Sequence, residues 1–167
     1  MGLFKKNYVK IYFKKTAEMM DYLKRRGLVK NIEIERELYA FNYVIASIIL
    51  LRLDKEKEAK KISNELYDKF PWIVTGFTQR MDFYSQFLNG KEPRAEYIPE
   101  ESRDFSNAYV RLQFAFEDIL MSPNLIDDYD NAPLLILPGM ELINFTITMD
   151  HFHNLIVDLI KSLGYKE

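Results

Sequence analysis

The stretch Leu38–Leu53, LYAFNYVIASIILLRL, holds only three clearly polar residues in sixteen: Asn42, Ser47 and Arg52. They recur every five residues, a spacing that suits neither one wet helix face nor an alternating strand. A helix apolar almost all round is buried on most of its sides. As a helix this stretch reaches only ~24 Å, short of the ~30 Å hydrocarbon core of a bilayer. It therefore predicts a buried central post over 34–53, beginning near Ile32–Ile34, with the other helices laid against it.

Composition sets the frame for that post. A chain of 167 residues suits one domain and buries most of its apolar surface without staples. An apolar fraction of 48% with 29% charged residues is that of an ordinary globular protein. Cysteine is absent, which excludes disulfides, thiolate zinc sites, iron–sulfur clusters and a cysteine nucleophile. The same absence favours a reducing cytoplasm, and a bacterial one is expected. The opening MGLFKKNYVKIYFKK breaks with lysines the apolar run a signal peptide needs, and Lys6 stands where a myristoylation signal requires Ser or Thr. No transmembrane span is expected.

The remaining helices follow from spacing. Over 5–26, Val9, Tyr12, Phe13, Ala17, Met20 and Leu23 form one stripe, with Lys10, Lys14, Glu18, Asp21 and Arg25 opposite and Gly27 as a stop. Asn31 suits an N-cap for the post, and Glu33, Glu35 and Glu37 suit its opening turns, where carboxylates face the helix dipole. Asp54 is expected to cap a helix over 55–69 with Ala59, Ile62, Leu66 and Phe70 inward and pairs Glu56–Lys60 and Glu65–Lys69 outward. The tight connection predicts an antiparallel hairpin with the post. Pro71 suits the first position of a helix over 71–88 built on Ile73, Phe77, Met81, Tyr84 and Leu88. A polar loop over Lys91–Glu101 leads to a helix over 102–121 on Phe105, Tyr109, Leu112, Phe116 and Ile119; a second loop covers Asn124–Pro133.

The final segment reads two ways. Residues 142–149 alternate as a strand would, yet Leu142, Phe145, Met149, Phe152, Ile156, Leu159 and Leu163 keep helical spacing for longer. The longer pattern decides for a helix over 139–163. The expected fold is all-α: an irregular antiparallel bundle of about six helices forming a single domain over 1–167, with a basic N-terminal helix.

The hairpin of the post and the helix after it resembles one tetratricopeptide unit. Small Ser47 and Ala59, then Leu66 and Pro71, stand at roughly that repeat's spacing, over about 32 residues. Thr75, Thr78 and Lys91 depart from the pattern in the following repeat length, so the hairpin is read as ordinary helical packing and no repeat array is expected.

Candidate sites are few. His151 and His153 point ~200° apart on a helix and cannot share a metal, whereas on a strand they would share a face. Asp150-x-x-His153 has the spacing of half a di-metal carboxylate motif, to which Glu117 and Asp118 would add carboxylates from a neighbouring helix. The second Glu-x-x-His is missing, so no metal or other cofactor is expected. The acidic run Asp127, Asp128, Tyr129, Asp130 fails as an EF-hand, with Pro133 where Gly is needed and Gly139 where Glu is needed. Glycine occurs six times, always singly, so no phosphate-cradling loop exists, and no triad assembles.

Charge is the last clue. Residues 1–30 carry nine Lys/Arg against Glu18 and Asp21, net +7, and the rest is net −9. The basic helix is expected to lie on the chain's own acidic surface; Lys5, Lys6, Lys10 and Lys14 are the part open to a partner or anionic lipid. Nucleic acid is not expected, because the acidic remainder cannot extend a footprint. From Asp82 to Asp158, fourteen acidic residues face four basic ones, which suits a basic protein partner met through Asp127, Asp128 and Asp130. The expected function is a non-enzymatic interaction or regulatory module, inhibitor- or immunity-like in style. A self-pairing 142–163 seam is a related option. The rival reading is a metal-dependent or small-molecule-binding protein using Asp150, His151, His153 and Glu117.

Overall fold

The computed structural model describes residues 6–71, 74–88, 108–121 and 139–166. Within them lie α1 (Tyr8–Arg25), α2 (Ile32–Arg52), α3 (Glu56–Lys69), α4 (Val74–Leu88), α5 (Ala108–Met121) and α6 (Gly139–Leu163), and no strand. The loops expected over Lys91–Glu101 and Asn124–Pro133, and the start of helix 102–121, lie outside the described residues.

α2 is the post. No residue from Glu33 to Leu50 is exposed, and α2 packs on each of the other five helices. The chain runs up and down around it. Tyr43 of α2 meets Ala59 of α3, and Tyr39 meets Phe70 beyond it, so this pair is antiparallel. α1 and α6 are antiparallel as well, joined by Lys15 with Asp158 at one level and Tyr22 with Thr148 at another. α6 runs parallel to α2, with Phe41 against Phe152 while Arg52 reaches Tyr165, and α4 meets the post through Phe41 against Tyr84. At the centre Phe41, Phe116 and Phe152 stack face to face, with Phe41 and Phe116 at 4.8 Å and Phe116 and Phe152 at 5.5 Å between centroids. This triad ties α2, α5 and α6 together.

The helix ends are chemically explicit. Asn7 and Asn31 cap α1 and α2, their side-chain oxygens accepting from the amides of Lys10 and Ile34. α1, α2 and α6 all close in the same double hydrogen-bond motif, with Gly27, Asp54 and Gly164 at the left-handed position. Asp54 is thus the C-terminal stop of α2 with φ of 55°, and Lys55 takes the N-cap position of α3 without a side-chain bond. The expectation that Asp54 caps α3 is corrected: a two-residue connection lets one helix's stop consume the residue the next would use.

Other departures are local. Ala17 is exposed while Thr16 and Met19 are buried, because α1 turns that flank onto Asn42, whose Nδ2 donates to Thr16 Oγ1 at 3.1 Å. On α3, Lys61 pairs with Glu58 at 2.8 Å and Lys69 with Glu65 at 3.9 Å; Glu56 and Lys60 make no pair. Glu37 is the largest departure. Expected among the dipole-facing carboxylates of the opening turns, it is buried and bonded across to α4. The strand alternative for 142–149 gives way to α6, whose bounds match the helical reading. No described helix is long and apolar enough to cross a membrane.

Candidate functional site

α5 and α6 both lean on α2 and meet through Phe116 and Phe152, leaving a gap lined by side chains of both. The gap is a cleft of about 610 Å³. Its walls are partly apolar, from Met121, Leu142, Phe145 and Met149, and partly polar, from Gln113, Glu117, Asp150 and His153. Helical spacing explains the polar line: Gln113 and Glu117 are one turn apart on α5, as are Asp150 and His153 on α6.

A hydrogen-bonded chain crosses the cleft. Gln113 Nε2 donates to Glu117 Oε1 at 2.8 Å, and Gln113 Oε1 lies 2.7 Å from His153 Nδ1. The buried amide of Gln113 thereby orients the imidazole and places its proton on Nδ1 while the ring is neutral. Burial raises the Glu117 carboxyl to about 7; the Gln113 bond pulls the other way, and the carboxylates of Asp118 and Asp150 push further up. Asp150 stands exposed at the rim with no ion pair among the described residues.

Three of the four residues expected in the histidine segment therefore meet here: Glu117, Asp150 and His153. His151 does not. It lies on the other flank of α6 against Tyr22 of α1, with ring centroids 6.3 Å apart, as the ~200° separation on a helix requires. Among the described residues no three His, Asp or Glu side chains converge closely enough to hold a metal ion. Gln113, the centre of the chain, was missed by sequence reasoning. Its spacing to Glu117 was visible, but nothing in the sequence links it to His153, forty residues on.

The outer face of α6 beside the cleft is unusual in another way. Met140 is 71% exposed, Ile143 52%, and Leu142 and Ile147 46% each. Leu142, expected in the buried seam, forms the cleft's lip instead. The C-terminal end of α1 bonds to α6 at Thr148, through Tyr22 and Arg26. The preceding turns of α6 extend past the end of α1.

The basic residues of α1 go elsewhere. Lys6, Lys10 and Lys14 line a shallow groove of about 990 Å³ between α1 and α3, shared with Lys61, Lys69, Glu58, Glu65 and Asp68. Phe13 floors it, under the Lys69 ammonium at 4.5 Å. Lys15 instead turns inward to Asp158 at 2.5 Å and Glu18 at 3.0 Å, and Lys24 pairs with Glu35 at 2.7 Å. Part of the basic helix thus lies on the chain's own acids. Its apolar stripe is spent on the core, so what it turns outward is mainly charge. Lys5 and the acidic run Asp127, Asp128 and Asp130 lie outside the described residues. No protein-family model matches the sequence, and no curated protein or solved structure is significantly similar to it.

Proposed function

We propose that this chain is a non-enzymatic recognition module that binds a protein partner through the N-terminal half of α6. One observation carries the reading: Met140, Leu142, Ile143 and Ile147 leave large apolar surface in water on two turns of one helix. Exposed apolar side chains clustered in this way mark interaction surfaces. Glu141 and Asp150 border the patch, and the acidic balance of 82–158 extends that sign, so a partner with an apolar face rimmed by basic side chains suits it. The absence of cysteine supports a cytoplasmic setting, and a second copy of the chain is the other apolar partner at hand.

The test compares the wild type with the double variant Ile143→Arg, Ile147→Arg. Both positions are exposed, so the variant keeps the wild-type unfolding midpoint. The expected result is a stoichiometric basic partner held by the wild type and lost by the variant. Equal retention by both proteins removes α6 as the binding element. Light scattering at high micromolar concentration separates the homodimer: a ~20 kDa species excludes it.

A second reading, small-molecule binding in the α5–α6 cleft, is favoured by the Glu117–Gln113–His153 chain. An apolar-walled cleft of ligand size with a few convergent polar groups is the ordinary form of a small-molecule site.

A further inference from the structure

We propose that the α5–α6 cleft binds an organic ammonium, with the cation held between Glu117 and Asp150 and an apolar body laid against Met121, Phe145 and Met149. The proposal rests on the small-molecule reading of this cleft and names its ligand class.

Among the described residues lining the cleft there are two carboxylates and neither Lys nor Arg. Glu117 receives one hydrogen bond, from a neutral amide, and Asp150 receives none from the described residues. Elsewhere the protein treats a buried carboxylate differently: Glu37 is given an arginine and a tyrosine hydroxyl. A half-buried carboxylate with no cation holds its charge at a cost, which a ligand bringing one positive charge recovers. An anion meets the same carboxylates as repulsion. A bare divalent ion would need more oxygen ligands than converge here, and the apolar walls would give it nothing. A neutral apolar molecule would use the walls alone. The volume of about 610 Å³ falls within the usual range for small-molecule pockets.

Charge balance also gives a pH dependence. The groups facing Glu117 are Gln113 and Asp118 on its own helix and Asp150 and His153 from α6. With its carboxyl at about 7, Glu117 is mostly ionised at pH 8 and mostly neutral at pH 6. An alkylammonium keeps its charge throughout, so its affinity falls about tenfold from pH 8 to pH 6.

The experiment titrates the full chain with phenethylamine, its neutral analogue phenethyl alcohol, and hydrocinnamate, reading affinity by calorimetry and location by amide shifts. The expected result is tightest binding of the amine, with shifts at Gln113, Glu117, Phe145 and Met149. Glu117→Gln weakens the amine at least about tenfold and leaves the alcohol unchanged. Asp150→Asn, at an exposed rim position, weakens the amine about threefold. Amine and alcohol binding equally at these residues overturns the ammonium class and leaves the cleft reading standing. If none of the three probes shifts these residues, the cleft reading falls with it.

Discussion

Glu37 of α2 and Arg80 of α4 form an ion pair inside the core, closed on its other side by the Tyr84 hydroxyl, which donates to Glu37 Oε2 at 2.8 Å. The guanidinium also lies 4.3 Å from the Phe83 ring centroid. Burial raises the Glu37 carboxyl, while Arg80 and the Tyr84 bond lower it. The pair ties α4 to the post.

Removing half of such a pair leaves a buried charge or forces it to neutralise. Arg80→Met should cost about 3 kcal/mol in urea unfolding. Glu37→Leu combined with Arg80→Met should recover most of that loss, because the desolvation cost leaves with the charges. A double variant no more stable than the single one would show that Glu37 acts through packing instead.

Glu117 makes the opposite contribution, and the sign follows from its raised carboxyl. The unfolded chain releases this proton near the ordinary 4.5, the folded protein only near 7. Between those values the folded state binds more protons, so stability falls as pH rises, by up to about 3 kcal/mol above pH 7. Glu117→Gln should therefore stabilise the protein at pH 8 by about 1–3 kcal/mol and be nearly neutral at pH 4.5. Unfolding curves at pH 4.5, 6 and 8 check this; a pH-independent difference would sink it.

Asp54 occupies a left-handed position that glycine fills in the other two motifs of the same kind, at Gly27 and Gly164. Asp54→Gly should stabilise by about 0.5–1 kcal/mol, read as a rise in thermal midpoint. A drop would mean that the aspartate side chain supports the turn in a way its backbone does not require.

The three motifs also show where local sequence stops being sufficient. Gly27 and Gly164 announce themselves as stops because only glycine is at ease there. Asp54 reads equally well as a start, and the choice depends on which helix claims the turn. At Gly164 even glycine is partly a tertiary matter: a Cβ there would come 3.1 Å from Lys6 Nζ, at the opposite end of the described chain.

The sequence by itself determined the all-α class, the buried post, the α2–α3 hairpin and the bounds of α6. The class and the bounds of α6 follow from the period at which apolar side chains recur, the post from its lack of a polar face and the hairpin from its short connection, all of them properties of local sequence. The tertiary structure decided what no period encodes. It chose which flank of α1 is buried, placing Thr16 inside and Ala17 outside, and it turned Glu37 from a dipole-facing carboxylate into a core ion pair. It joined His153 to Glu117 through Gln113. It also left Ile143 and Ile147 in water, because α6 outruns the helix that would have covered them. These outcomes depend on helix lengths and on distances between segments dozens of residues apart, which are set only when the helices meet.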